Sequence, residues 1–503
     1  MKVLSIEKIR EADRFTIENE PIKSIDLMER AGTNCFKFLL KKVKKNQQIF
    51  VFAGLGNNGG DGLVVSRLMA NEGFKVKAII VRYSDKCSDD FQINYERLIN
   101  DKKVEIVELK PDDNFPDIKD NDVVIDAIFG SGLSKNVTGF IGDVIEHINI
   151  SNAFIVAIDI PSGLFADKFS DEKNSSIVKA DYTLTIQFPK YSMFFAENDK
   201  FVGNMKVISI GLHPEFIVQV DVKNYFVEKE DFYTVLKSRN KFAHKGNFGH
   251  ALLISGSYGK MGAAVLASKA CFRTGVGLLT THIPKKGYEI IQTATPETMV
   301  SIDDDEKVFS GIKDLSKYNV IGVGPGIGVD EKTQNALKLL IQNVGSPMVF
   351  DADAINIIGE NKTWIPFIPK GSIFTPHPKE FERLTGKTND SFERTELQRK
   401  FSIKNGVYIV LKGANTVTSC PDGSCFFNST GNSGMATAGS GDALTGIILS
   451  LLAQNYYPKI AAIMGVFLHG LAGDIAADKN GMEAMIASDI INFLGEAYEN
   501  LKS

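Results

Sequence analysis

A chain of 503 residues is too long for one ordinary hydrophobic core, so two or three domains are expected. With 44% hydrophobic and 23% charged residues it has the make-up of a globular protein in water, and a formal net charge of only −4 gives no reason to expect nucleic acid or another polyanion as partner. The five cysteines (Cys35, Cys87, Cys271, Cys420 and Cys425) are few and odd in number, which argues for a reducing compartment. Cys420 and Cys425 flank a Pro-Asp-Gly turn and face each other if it closes a hairpin; with no histidine nearby, free thiols are expected. The first residues, MKVLSIEKIREADRF, are charged throughout, and no uncharged apolar run reaches membrane-spanning length, so the expectation is a cytoplasmic protein with no membrane partner.

In chain order, residues 6–15 have the pattern of an amphipathic helix with Ser5 as its cap, and a second helix is predicted over 26–43. A strand–loop–helix pattern follows: strand 49–53, the loop GLGNNGGDG at 54–62, helix 63–71, then strands at 76–81, 123–127, 154–158, 182–186 and 207–210. Near-continuous Val/Ile runs between helices predict a mostly parallel sheet covered on both faces. The glycine loops stop around residues 213–224 and the pattern resets. A second α/β series starts near Gly249, with strands at 251–254, 278–281, 320–323, 348–350 and 408–411. The boundary falls between residues 212 and 225, giving domains over 1–215 and 225–503.

Three loops of the first half end strands, where open α/β sheets bind ligands. Gly54, Gly56 and Gly59 satisfy G-x-G-x-x-G, but Asn57, Asn58 and Asp61 fill that loop with side-chain oxygens. Asp61 would oppose a pyrophosphate there, and the next strand ends in Val81-Arg82 without the acid that holds a ribose hydroxyl. Such a loop suits a hard cation better than a dinucleotide. The other two loops are DAIFGSG at 126–132 and DIPSG at 159–163, each with an acid at the strand's end.

GNNGGDG, DAIFGSGLS, DIPSG and FPK (residues 188–190), in that order over roughly the first 210 residues, resemble the NAD(P)HX epimerase family. The resemblance implies a Rossmann-like α/β/α domain. It places Asn57, Asn58, Gly59, Gly60 and Asp61, then Gly130, Ser131, Gly132, Leu133, Ser134, Lys135 and Asn136, and Asp159 against the hydrated nicotinamide nucleotide. It also implies a potassium ion held by Asn58, Asp126 and Ser162. Asp159 is the expected acid/base at the C6 carbinolamine, with Lys190 as a weaker second candidate.

In the second half, GSYGKMG (256–262) follows a strand but is no Walker loop, because Met261 stands where a magnesium-binding Ser or Thr is needed. GPGIG (324–328), Asp351-Ala-Asp353, TPHPKEF (375–381) and KGANT (412–416) follow at strand ends. The prolines flanking His377 fix its backbone. Lys412 is placed to reach nucleotide phosphates, or is a solvated surface lysine. The densest signal is GNSGMATAGSGDALTG at 431–446, a glycine-rich loop opening an apolar helix, which makes an anion site. Asp442 within it reads either as a helix cap or as a base acting on a hydroxyl during phosphoryl transfer. The density of glycine favours the base.

HKGNFG, GSYGKMGAA, GPGIG, TPHPKE, KGANT and the final glycine loop, in that order, resemble the NAD(P)HX dehydratases, which have a ribokinase-like α/β fold. By that resemblance Ala263, Gly326, His377 and Asp442 would meet the substrate. Lys412, Gly413, Ala414, Asn415, Thr416 and Gly441 would meet an adenine nucleotide, either ADP or ATP, with Mg2+. Asp442 would deprotonate the C6 hydroxyl for attack on a phosphoryl group, after which phosphate leaves. Both halves together are similar to the two-domain bacterial epimerase/dehydratase, with small-molecule substrates and a homo-oligomeric assembly. The runner-up is a ribokinase-type small-molecule kinase fused to a nucleotide-binding module.

Overall fold

The computed structural model describes residues 1–502, and the chain divides into two compact units, Lys2–Val222 and the part from Lys223 onward. The first unit opens with two helices, α1 (Ile6–Asn19) and α2 (Ser24–Leu39), and Ser5 caps α1 by accepting a bond from the Lys8 amide. A seven-stranded sheet follows, built from β1 (Gln48–Ala53), β2 (Lys75–Val81), β3 (Glu105–Leu109), β4 (Val123–Ala127), β5 (Phe154–Ile158), β6 (Tyr182–Ile186) and β7 (Asn204–Ile208). Its order is β3-β2-β1-β4-β5-β6-β7, and every pairing is parallel.

Alternation along the strands sends side chains to two cores. Ile49, Val51 and Ala53 face a layer made by α2, α3 (Asn57–Asn71) and α4 (Asp89–Asp101). Phe50 and Phe52 face the other layer with Val144, Ile145 and Ile148 of α5 (Gly139–Ile150). One expectation needs correcting here. GNNGGDG is not a loop ahead of a helix at 63–71: α3 begins at Asn57, so the motif forms the helix's first turns. The turn is tight enough that a Cβ on Gly59 would lie 1.9 Å from the Gly54 carbonyl oxygen.

The second unit carries β8 (Asn224–Phe226), β9 (His250–Ile254), β10 (Leu278–Ile283), β11 (Met299–Ile302), β12 (Val320–Val323), β13 (Met348–Phe350), β14 (Ile373–Phe374), β15 (Tyr408–Leu411), β16 (Val417–Ser419) and β17 (Cys425–Phe427). Their order is β8-β17-β16-β15-β14-β13-β12-β9-β10-β11, parallel except where β16 runs against β15 and β17. Ser419 pairs with Cys425 across that hairpin, and all five cysteines are free thiols. One face of the sheet packs on α6 (Met261–Arg273), α11 (Ser440–Ala453), α12 (Pro458–Asn480) and α13 (Ala487–Lys502). The other packs on α7 (Glu331–Asn343), α8 (Ala352–Glu360), α9 (Pro378–Thr385) and α10 (Ser391–Asn405). By length and composition the 23-residue α12 is apolar enough to cross a membrane, yet most of it is buried inside the unit, as a core helix is.

Helix α11 lies so close to α6 that a Cβ on Gly446 would sit 2.1 Å from the Ala267 carbonyl oxygen. Two backbones in contact leave no side chain to move aside. Gly446→Ala is therefore expected to destabilise the second unit by about 1–3 kcal/mol through overpacking. Thermal melting of the variant beside the parent checks this; an unchanged melting temperature would mean that the helices separate freely.

Candidate functional site

In the first unit the carboxyl edge of the sheet opens into a cavity of about 640 Å3, walled by α1, the start of α3 and the loops after β4 and β5. Asp159 follows β5 with φ +68°, a left-handed conformation uncommon outside glycine, and one that clusters at functional positions. Its Oδ2 accepts from the Ser131 amide at 3.0 Å, and its Oδ1 accepts from the Lys190 ammonium. That ammonium is almost fully buried and also donates to Thr185 Oγ1 and to the carbonyls of Ile186 and Phe188, at 3.0, 3.1 and 3.0 Å. Burial acts to raise the Asp159 carboxyl, but the charge and hydrogen bond of Lys190 and the Ser131 amide outweigh it, so Asp159 is held below the usual carboxylate range. Lys190, ranked second from sequence, is the partner that keeps Asp159 ionised.

Asp126, inside β4, accepts at Oδ1 from Ser162 Oγ (2.6 Å) and the Ile128 amide (3.2 Å), and at Oδ2 from the Ser162 amide (2.7 Å). Burial first, against these bonds, raises its carboxyl to about 6. Asn58 is 8% exposed, and among the described residues neither its Oδ1 nor its Nδ2 has a hydrogen-bond partner. A buried amide without a partner is costly and implies a ligand. A Cβ on Gly130 would meet Asn58 Cβ at 3.2 Å and Asp159 Oδ2 at 3.3 Å, so glycine there lets the two side chains adjoin. The predicted stretch from Gly130 to Lys135 lines the cavity with Asn57, Asn58 and Asp61. The donors Asn58, Asp126 and Ser162 are neutral and charged oxygens, a set that fits potassium.

Two features escaped sequence reasoning. Ile6, Ile9, Arg10, Asp13 and Ile17 of α1 line the same cavity, and their helical spacing was the available signal. Asp61, expected to repel a pyrophosphate, has its carboxyl raised well above the usual range by burial and by the charges of Asp159, Asp13 and Asp90.

In the second unit Asp351 follows β13 and is buried. Its Oδ1 accepts from Lys412 Nζ at 2.9 Å and its Oδ2 from Thr445 Oγ1 of α11 at 2.7 Å. Asp353 Oδ2 accepts from the Gly328 amide at 2.8 Å and from Lys260 Nζ at 3.2 Å. Ala263 and Gly326 adjoin: a Cβ on Gly326 would lie 3.1 Å from Ala263 Cβ. A Cβ on Gly441 would lie 3.2 Å from Lys412 Nζ, so this glycine admits the ammonium to the first turn of α11. The solvated-lysine reading of Lys412 is thereby set aside.

Gly439, in a left-handed conformation, occupies the cap position of α11 without a side-chain bond, and Asp442 is the third residue of the helix. The cap reading of Asp442 is corrected accordingly. Its carboxyl is raised to about 7 by burial, then by the charge of Asp351, against Lys412. His377 caps α9: its Nδ1 accepts from the amides of Lys379 (3.1 Å) and Glu380 (3.3 Å). Its ring is nonetheless half exposed, and Glu380 Oε2 lies 4.0 Å from Lys412 Nζ. Gly413, Ala414, Asn415 and Thr416 form the turn from β15 to β16, closed by the Gly413 amide donating to Thr416 Oγ1 at 3.2 Å. Sequence reading also missed His469, buried beneath the helix start with Nε2 3.0 Å from the Ser440 carbonyl oxygen. Among the described residues no three His, Cys, Asp or Glu side chains cluster as a metal cage.

Two family models match, one described as YjeF-related protein N-terminus over residues 24–192 and one as NAD(P)H-hydrate dehydratase over residues 251–495. The chain is 33% identical to the bifunctional NAD(P)H-hydrate repair enzyme of Moorella thermoacetica, covering 100% of this chain and 97% of that one. It is 31% identical to the enzyme of that name in Escherichia coli, covering 97% and 92%. A crystal structure of ADP/ATP-dependent NAD(P)H-hydrate dehydratase from Bacillus subtilis, co-crystallised with ATP and Mg2+, shares 30% identity over 55% of this chain and 98% of that one, with a TM-score of 0.49.

Because the folded Asp442 carboxyl sits near 7 rather than 3.8, its protonated form is favoured by folding, and that stabilisation is lost as pH rises from about 4 through 7. Asp442→Asn cannot ionise. The variant is expected to melt at the parent's temperature near pH 4 and above it at pH 8; equal melting temperatures at both pH values would mean an unperturbed carboxyl.

Proposed function

The chain belongs to the family of bifunctional NAD(P)H-hydrate repair enzymes, and from that premise we propose how its residues divide the two reactions. It is an NAD(P)HX epimerase and an NAD(P)HX dehydratase on one polypeptide. We assign the epimerase to residues 1–215 and the dehydratase to residues 225–503, as the reset of motifs between them and the spans of the two matched models support.

The assignment of the dehydratase base rests on one observation. Asp442 is a half-buried carboxyl raised to about 7, on the first turn of a helix behind a glycine run, beside the Lys412 ammonium. A base is most effective when its pKa lies near the working pH. Asp442 takes the proton of the C6 hydroxyl as that oxygen attacks the terminal phosphoryl group of ADP or ATP. Lys412 and the free amides of the first turn of α11 face the charge that develops on the phosphoryl oxygens. Phosphate then departs with the C6–O bond pair, the ring nitrogen supplies electrons to C6, and loss of the C5 proton restores the double bond. Ala263, Gly326 and the exposed edge of His377 hold the S epimer; Gly413, Ala414, Asn415 and Thr416 hold the nucleotide beside Gly441. Among the described residues no three His, Cys, Asp or Glu side chains form a cage for magnesium, and we infer that it would enter with the nucleotide phosphates, as it commonly does.

In the first unit Asp159, kept ionised by Lys190, is the acid/base at C6 for exchange of the R and S epimers. Asn57, Asn58, Asp61 and the stretch from Gly130 to Asn136 hold the nucleotide around it. Asn58, Asp126 and Ser162 would hold potassium, which would supply fixed positive charge to the site.

One experiment tests both halves: mixed R- and S-NADPHX, magnesium, and ADP or ATP, followed by recovery of dihydronicotinamide absorbance. The parent should recover the whole pool. Asp442→Asn should lose at least about a hundredfold in the recovery rate while still exchanging epimers. Asp159→Asn should recover the S fraction and stop; full recovery in that variant overturns the epimerase assignment. Asn58→Ala should abolish any dependence of epimer exchange on potassium, measured against sodium at equal ionic strength, and a retained dependence removes Asn58 from the ion site.

A further inference from the structure

Inverting one carbon makes a demand that a single carboxylate does not meet. Epimerisation at C6 takes a hydroxyl from one face of the ring and restores one on the other, so a proton donor and a proton acceptor must address two faces. Asp159 and Lys190, at the ends of β5 and β6, form one wall of the cavity. Helix α1 forms another, and within its lining stripe Asp13 is the only acid.

None of the side-chain hydrogen bonds or ion pairs among the described residues engages Asp13, although it is half-buried in the cavity wall. The same cavity is lined by the buried Asn58 amide, which has no partner either, so the space between these walls is built for a polar ligand. We propose that Asp13 is the second acid–base residue of the epimerase site, serving the ring face opposite to the one that Asp159 serves. This rests on the assignment of Asp159 made above.

The step balances without any co-reactant. The C6–O bond breaks with its electron pair going to oxygen, which takes the proton of the Asp13 carboxyl and leaves as water. The ring nitrogen lone pair forms a C=N bond, giving an iminium cation beside the Asp159 carboxylate. Water adds to C6 from the other face and passes its proton to Asp159, while the C=N electron pair returns to nitrogen. The net change is one proton moved from Asp13 to Asp159, which solvent exchange or the reverse reaction resets.

The charges around the pair set their roles apart. Burial first and then the Asp159 charge, against Lys190, raise the Asp13 carboxyl to about 6, whereas Asp159 is held low. Facing Asp13 are Asp159 and Lys190 from the strand ends and Asp61 from α3, with Arg10 on its own helix. Lys135 and Asp90 also line the cavity, and Asp167 binds the Ile6 amide where α1 begins.

The test is the pH profile of R-to-S exchange by the full-length protein between about pH 5 and 9, with Asp13→Asn, Asp13→Glu and Asp159→Asn beside the parent. The parent's rate should fall as pH rises through about 6, where Asp13 loses its proton, with no acid limb in this range because Asp159 is held below the usual carboxylate range. Asp13→Asn should lose about a hundredfold or more in rate together with the alkaline limb, with dehydration of pre-formed S epimer unchanged. Asp13→Glu should regain much of the rate with a displaced alkaline limb. An Asp13→Asn protein with the parent's rate and profile, alongside an inactive Asp159→Asn, overturns the role of Asp13 and leaves Asp159 in place. Exchange that persists in Asp159→Asn overturns both. If Asp13→Asn does not fold, an Asp13→Glu profile identical to the parent's overturns the proposal.

Discussion

Each unit is organised around a lysine ammonium set against a buried aspartate at the carboxyl edge of a parallel sheet. Lys190 meets Asp159 across the ends of β6 and β5; Lys412 meets Asp351 across the ends of β15 and β13. Taking two charges out of water costs several kcal/mol per ion, and a well-packed apolar pair would often be as stable. Such pairs therefore carry little of the fold's stability. What they do is fix a positive charge against one chosen aspartate in a space that holds several acids. Parallel sheets make this arrangement easy, since every strand ends on the same edge and delivers a loop to the same side.

The lysine's choice of partner sets the carboxylates of each site apart. In the first unit Lys190 is committed to Asp159, so Asp13 and Asp61 are left to burial and to one another, and both are raised. In the second, Lys412 is committed to Asp351, and Asp442 is raised in the same way. Both sites thus hold one aspartate bonded to the lysine and another whose carboxyl is raised by burial. The two reactions differ, yet each moves a proton at the same C6 hydroxyl, and the same electrostatic device suits both.

Strands buried on both faces were legible in the sequence because their apolar runs are unbroken. Residues 123–127, 154–158, 182–186, 320–323, 348–350 and 408–411 are strands with those limits. Charged or very short strands were not. Glu105–Leu109 carries charge on its exposed face, and Ile373–Phe374 and Cys425–Phe427 are too short to show a period. The glycine motifs were visible as ligand loops but not as the first turns of α3 and α11, since glycine disfavours a helix interior and only tertiary contact makes it fit there. Asp442, Lys412 and Asp159 stood out because each lies in a glycine-bearing motif, Asp159 and Lys412 as its first residue. Asp13 did not, because an acid on a charged amphipathic helix looks solvated until the cavity beneath it is known.

A small-molecule kinase and this dehydratase need the same apparatus up to phosphoryl transfer: a base on the hydroxyl, a positive charge and free amides at the phosphoryl oxygens. The divergence comes afterwards, and the substrate causes it. A phosphate ester on an ordinary alcohol carbon persists, because nothing stabilises the cation left by its departure. On C6 of a hydrated nicotinamide the neighbouring nitrogen lone pair supplies that stabilisation, so the ester expels phosphate without further help from the protein. A carboxylate such as Asp351, fixed close to Asp442, suits both the proton transfer and the passing positive charge on the ring. Residue chemistry at the site therefore defines a phosphoryl-transfer centre, and the order of motifs along the chain, read with the family to which it belongs, turns that centre into a dehydratase.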